Sequence, residues 1–508
     1  MSTQTASSIE IEAFEPHPGW ARQGRQPRIA IIGAGMSGIA AVVKLRRAGY
    51  TDLTVFEKAD RVGGTWRENH YPGLSCDVPS YWYSFTFAKN PDWSHRFAYG
   101  PEIQAYMERT ARDFGVLDVT HFDTPVTELR YEAPTWRLTT GRGDEHVFDV
   151  VISATGVLHH PAFPDIPGLD SFEGEAFHSA RWNDDLDLAG KRVGIIGTGS
   201  TAAQIVGEIG PEVGRMSVFQ RTPQWMAPLP QKAYSKAWKR FLRLFPFVQT
   251  LLYHFYYWYM TSRVGGAVLG DEKAHARLAE ACRRNLAENV HDPELRARLT
   301  PDYKAACKRI VVASDFYPAI CADNAELVTD AIERIEPGGV RTKDGRLHEL
   351  DVLVLATGFD PTRFILPTKV TGENGVDLEK RWDDAPRAHR SMSVPGFPNL
   401  WMIEGPTGPV GNLSLITISE YQLGYVIQCL DKMKRDGLEA IAAREEAFDA
   451  YNAYLREGLK KTIWVTGGCH SWYIDKTGMP NLYPYAPQQF RKEMQRPDFS
   501  EYRLIHEV

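Results

Sequence analysis

The chain has 508 residues, 43% hydrophobic and 24% charged, enough to bury a large core in about two or three domains. Its formal net charge is −6 and no Lys/Arg block occurs along it, which argues against nucleic acid as a partner. Met1 to Trp20 is polar and acidic and carries neither the basic start nor the apolar run of a secretory signal, so a cytoplasmic location is expected. The six cysteines, at 76, 282, 307, 321, 429 and 469, form no C-x-x-C pair and no cluster with histidine. They read as free thiols of a reducing compartment, with no metal site.

An apolar strand, Arg28-Ile29-Ala30-Ile31-Ile32, runs into Gly33-Ala34-Gly35-Met36-Ser37-Gly38, then a helical pattern through Leu45 and a second strand, 53–56, that ends at Glu57. Glycines between a strand and a helix let the backbone turn tightly and approach a pyrophosphate seated on the helix N-terminus. The pattern returns at 192–196, followed by Gly197-Thr198-Gly199-Ser200-Thr201-Ala202, a helix to Ile209 that carries Gln204, and a strand 216–219 leading to Arg221. The residue after each second strand lies beside the adenosine ribose. A carboxylate, Glu57, accepts from both ribose hydroxyls and repels a 2′-phosphate, so the first unit reads as an FAD site. Arg221 with Thr222 attracts that phosphate, so the second reads as an NADPH site.

Two short apolar strands, 150–153 and 352–355, each stop at Ala-Thr-Gly, which suits crossings between domains close to bound cofactor. Between Trp225 and Asp302 the composition shifts to helix formers with aromatic clusters. Within it, 241–260 is dense in aromatic residues and follows Lys236, Lys239 and Arg240. Arg243, Pro246, Gln249 and His254 interrupt it, which disfavours a membrane span. A buried helix lining the substrate pocket and a peripheral membrane contact through 236–262 both remain open.

Three further motifs carry a family likeness. Gly63-Gly64-Thr65-Trp66 is followed by Tyr71-Pro72-Gly73 and Asp77; Phe172-x-Gly174-x₃-His178-x₃-Trp182 follows the first Ala-Thr-Gly; and Cys307-Lys308-Arg309 precedes Tyr317. Together with the two glycine turns they resemble the type I flavin-dependent Baeyer–Villiger monooxygenases, nearest the hydroxyacetophenone monooxygenases, from about Pro27 to Tyr485. Asn183 stands where the second motif has Pro or Asp. The tryptophan at 182 separates this family from flavin monooxygenases that oxidise amines or sulfides, the alternative activity.

The resemblance implies an α/β fold with two dinucleotide-binding, Rossmann-like domains and a mainly helical insertion. The chain divides into an FAD-binding part (1–158), an NADP-binding part (159–222), the insertion (223–306), the rest of the NADP-binding domain (307–392) and the rest of the FAD-binding domain (393–508). Gly64, Thr65, Trp66, Arg67, Glu68 and Tyr83 become flavin contacts, with Val126 and Leu415, and the 405–409 segment returns to the flavin edge. Ser75, Cys76, Asp77, Lys308 and Trp472 join the NADP side, and His178 orients the domains. The implied reaction uses NADPH and O2 to convert a ketone to an ester or lactone through a peroxyflavin stabilised by Arg309, whose guanidinium Asp77 orients. A guanidinium suits that task because it holds a positive charge without giving up a proton.

Overall fold

The computed structural model describes residues 19–263, 265–411, 413–469, 471 and 474–506. Two five-stranded parallel sheets organise them. The first has the order Leu400–Met402, Val150–Ser153, Ile29–Ile32, Leu53–Phe56, Thr120–His121. The second runs Glu175–His178, Val352–Leu355, Arg192–Ile196, Arg215–Phe219, Ala325–Val328. In both, a strand ending in Ala-Thr-Gly and a strand ending before Glu57 or Arg221 flank the strand that enters the glycine turn. The repeat seen in the sequence is therefore a repeat of topology.

The central strands Ile29–Ile32, Val150–Ser153 and Val352–Leu355 are buried at every residue, as unbroken apolar runs are when helices cover both faces of a parallel sheet. The Met36–Arg47 helix covers one face of the first sheet and packs against the long Leu415–Asp436 helix, joined to it by Ser37 Oγ and Ser419 Oγ at 3.0 Å.

An antiparallel sheet of Val126–Glu132, Thr135–Thr140 and Glu145–Phe148 extends the first domain, and Lys369–Thr371 pairs with it through Lys369↔Glu128. The expected division at 392 places this strand in the second domain, whereas its hydrogen bonds put it in the first. Nothing in the sequence of a three-residue strand marks its partner.

The region 223–306 holds the helices Lys236–Leu244, Pro246–Arg263, Gly265–Val268, Glu272–Asn289 and Pro293–Arg298. No helix among the described residues is long and apolar enough to cross a membrane.

The expectation of six free thiols is corrected by a disulfide between Cys307 and Cys469, 162 residues apart. Cys76, Cys282, Cys321 and Cys429 are free. Spacing rules detect cysteines paired locally, and this pair is made by the fold, which brings the segment before Lys308 against the C-terminal region.

Candidate active site

At the first glycine turn, Glu57 is buried, and its carboxylate accepts from the backbone N–H of Ala34 at 2.6 Å and of Ala59 at 2.9 Å. The acid is thus held against the turn, with lone pairs left for ribose hydroxyls. The segment Gly63 to Glu68 folds over this turn. A Cβ on Gly35 would lie 3.4 Å from Gly64 Cα, and one on Gly64 would lie 3.0 Å from Gly35 Cα, so the two bare backbones pack directly against each other and close one side of the turn. The N–H groups at the helix start beside this contact suit the pyrophosphate of FAD.

The covering segment is pinned by its aromatics. Trp66 Nε1 donates to Tyr83 OH at 3.0 Å, and Tyr83 OH reaches Met36 Sδ at 3.4 Å, at the first turn of the glycine helix. Burial pushes the Tyr83 phenol well above its ordinary range. Thr65 begins the short helix Thr65–Glu68, and its carbonyl accepts from Asn69 Nδ2 at 2.9 Å. Arg67 and Glu68 are engaged in ion pairs. Arg67 binds Asp60 at 2.8 Å and Glu68 at 3.1 Å, and Glu68 takes Arg181 of the interdomain linker at 2.7 Å. Val126 packs in a cluster with Ile32 and Phe56 below the turn, and Leu415 opens the long C-terminal helix. Gly33 and Gly38 complete the strand-to-helix turn.

The sequence reading missed a group on the far side of this helix. Glu404 is buried, its carboxyl accepts from Ser419 Oγ at 2.8 Å, and Ser37 of the glycine motif joins the same network. Burial raises its carboxyl to about 7, against the pull of Ser419 and Ser37. Its neighbours Gly405 and Pro406 drew attention in the sequence, but no spacing ties residue 404 to residues 37 and 419.

The second turn is built on Gly197, Gly199 and a helix that starts at Ser200. Thr198 Oγ1 donates to the Thr222 carbonyl at 3.0 Å, tying the turn to the segment after Arg221. Ala202 is fully buried at the third motif position, and Thr201 hydrogen-bonds with Tyr71. Gln204 joins the domains: it accepts from Tyr71 OH at 3.0 Å and donates to the carbonyl and hydroxyl of Ser75 at 3.0 and 3.2 Å. Gly73 permits this approach, since a Cβ there would sit 2.7 Å from the Gln204 carbonyl oxygen and its φ is +76°. Cys76 is buried, which raises its thiol far above the ordinary range.

Lys308 and Arg221 come close together beyond the second turn. Lys308 sits 5.0 Å from the centre of the Tyr303 ring. Its ammonium is pushed below its ordinary range, first by burial and then by the positive charge of Arg221. Two like charges so placed favour a multiply charged anion such as a 2′-phosphate. Next in sequence, Arg309 donates through Nε and Nη2 to Asp77 Oδ2 at 3.1 and 2.5 Å. The pair spans 232 residues and joins the covering loop of the first site to the cation cluster of the second, and Arg309 keeps 40% of its side chain exposed. Such an exposed ion pair adds little to stability.

In the linker, His178 Nδ1 accepts from Ala180 N at 3.1 Å, so its Nε2 donates to the Gly358 carbonyl at 3.0 Å, and burial holds the ring below its ordinary range. This fixes a neutral imidazole between the linker strand and the second Ala-Thr-Gly. Trp182 packs edge-on to Phe177 in a cluster that includes Tyr71 and Leu74. Trp472 lies outside the described residues.

Residues 26–370 match the family described as flavin-binding monooxygenase-like. Over 482 residues the chain is 40% identical to a Baeyer-Villiger monooxygenase of Streptomyces coelicolor, an alignment covering 94% of this chain and 92% of that protein. Among solved structures, cyclohexanone monooxygenase from Rhodococcus sp. Phi1 bound to NADP+ superposes with a TM-score of 0.84 at 28% identity, covering 95% of this chain and 99% of that one. The complex of OTEMO with FAD and NADP gives 0.84 at 27% identity, covering 93% and 98%.

Proposed function

The chain belongs to the flavin-binding monooxygenase-like family and is an FAD-containing, NADPH-dependent Baeyer–Villiger monooxygenase; on that footing we propose which residues carry each part of the reaction. Ketone, O2, NADPH and a proton give an ester or lactone, water and NADP+. FAD, when bound, supplies the hydride acceptor and, once reduced, the group that activates O2.

Glu57 holds the adenosine ribose of FAD, while the N–H groups from Gly33 to Gly38, facing Gly64, hold its pyrophosphate. Arg221, Thr222 and Lys308 bind the 2′-phosphate of NADPH, and Gly197 to Ala202 bind its pyrophosphate. Gln204, held by Ser75 and Tyr71, sets the distance between the two sites. Arg309 presents a permanent positive charge where negative charge develops as oxygen attacks the ketone carbonyl, and Asp77 fixes its direction. The contact between Arg309 and Asp77, made from loops of two different domains, is the observation that carries this assignment. We also propose a cytoplasmic location, supported by the use of NADPH; the Cys307–Cys469 disulfide removes cysteine usage as an argument for it.

The test is oxygen- and NADPH-dependent turnover of linear, cyclic, aryl and steroid ketones with product analysis, for the wild type and Arg309→Ala. Ester or lactone from the wild type, lost in a variant that stays yellow, supports the assignment. A normal ester yield from Arg309→Ala removes it.

A further inference from the structure

The helices Lys236–Leu244 and Pro246–Arg263 present two unlike faces. The inner face is buried on the first domain: Leu242, Gln249 and Tyr253 lie in the core, and Tyr253 OH meets Thr417 Oγ1 at 3.1 Å. The outer face is a row at helical spacing, Phe247 (63% exposed), Leu251 (61%), Phe255 (51%) and Trp258 (58%), continued by Leu244 and Phe245. Of the 13 exposed large hydrophobic residues among those described, 8 fall between 241 and 259. A patch so concentrated is a contact surface, because scattered exposure is what an ordinary surface shows.

The charge beside the row selects its partner. Residues 232–263 contain six Lys/Arg and no Asp/Glu, in a chain whose total is −6. Arg243 pairs with Asp92 at 2.6 Å, but Lys236, Lys239 and Arg240 have no ion-pair partner among the described residues. Neither helix is long and apolar enough to span a bilayer, so a membrane contact here would be made from one side. A two-fold dimer through the same face would set basic residues against their own copies. We propose that this pair of consecutive helices docks the enzyme on an anionic lipid bilayer, the row Leu244, Phe247, Leu251, Phe255 and Trp258 entering the acyl boundary and Lys236, Lys239 and Arg240 meeting the headgroups.

The proposal is independent of the residue roles assigned to oxygenation, and binding is read separately from turnover. The FAD-loaded enzyme is floated with vesicles of phosphatidylcholine alone or mixed with phosphatidylglycerol. Vesicles containing the anionic lipid should capture about tenfold more enzyme than neutral ones, and added salt should reduce the capture. The triple variant Phe247→Ser/Leu251→Ser/Trp258→Ser should lose binding while keeping its yellow colour and its turnover of a soluble ketone. Lys236→Gln/Lys239→Gln/Arg240→Gln should lose the preference for the anionic lipid. Absence of wild-type binding to either vesicle, or undiminished binding by the serine variant, overturns the proposal. So does a wild-type dimer that the serine variant converts to monomer, since the face would then be covered by a second copy.

Discussion

At Gly35 a Cβ would meet the backbone of Gly64 at 3.4 Å, whereas at Gly199, its counterpart in the second unit, nothing lies within 4 Å. The two units share strand order, a glycine turn and a helix, yet the first is covered by the 63–68 segment and the second stands open. The hydroxyls at the next-to-last motif position differ in the same sense. Ser37 is buried against Ser419 and Glu404, while Thr201 faces Tyr71 on the loop between the domains. A closed cradle suits a cofactor that stays through many cycles. An open one suits a cofactor that arrives as NADPH and leaves as NADP+. On the proposed assignment, the same topology would serve retention at one site and exchange at the other, the difference lying in what packs over the turn.

Breaking the closed site should give the largest effect. Gly35→Val fills the space between residues 35 and 64, so the protein should purify colourless and fail to reconstitute with FAD. Gly199→Val should stay yellow and show only a raised KM for NADPH. Flavin absorbance per protein, measured for both variants, checks the pair, and a yellow Gly35→Val would end the distinction. Next in size is the contact that joins the sites. Arg309→Ala should retain FAD and still oxidise NADPH, but ester formation should fall by about two to three decades, with hydrogen peroxide released in its place. Asp77→Ala should fall by about one decade, since the guanidinium remains and only its direction is lost. Ester yield against peroxide yield is the readout.

Both glycine units and the acid or base closing each of them were legible because each is a local pattern in which residue type and spacing report one task, whereas the covering loop came from family likeness. Arg309 and Asp77 came from family likeness, and their contact across 232 residues is visible only in the folded chain. The Cys307–Cys469 bond, the pairing of Lys369–Thr371 with the first domain, and Glu404 beneath Ser37 were not legible. Each depends on segments far apart in sequence meeting in space, and no periodicity encodes such meetings. The 241–260 segment was ambiguous because its aromatics serve both sides of one helix, Tyr253 inward and Phe255 outward.

The open site can be sharpened by its coenzyme preference. Arg221→Ala would remove one of the charge-assisted contacts proposed for the 2′-phosphate, and should lower the ratio of kcat/KM for NADPH over NADH by about one to two decades, equivalent to roughly 1.5–3 kcal/mol. Lys308→Ala should act in the same direction. The loss should appear with NADPH alone and leave NADH kinetics and flavin content unchanged. Full preference retained by Arg221→Ala would place the phosphate elsewhere.

The smallest effect tests what lies behind the closed site. Burial raises the Glu404 carboxyl from its ordinary value of 4.5 to about 7 in the folded protein, so folding favours its neutral form. Its contribution to stability is therefore complete below about pH 4.5, falls as the pH rises towards 7, and is lost above that, where the folded chain must hold a buried charge. The separation between those values corresponds to roughly 3 kcal/mol. In a chain of 508 residues that moves Tm by only a few degrees. Glu404→Gln keeps the shape and a hydrogen-bonding group for Ser419 but cannot ionise. Thermal melts of the FAD-loaded proteins, followed by flavin fluorescence, should coincide at pH 5 and separate at pH 8.5, with the variant the more stable. The KM for NADPH should be the same for both proteins at each pH, since Thr201 faces Tyr71 rather than a carboxyl. Melts that run parallel across the range would show that Glu404 keeps an ordinary carboxyl, and that closure of the first site carries no ionisable group behind its helix.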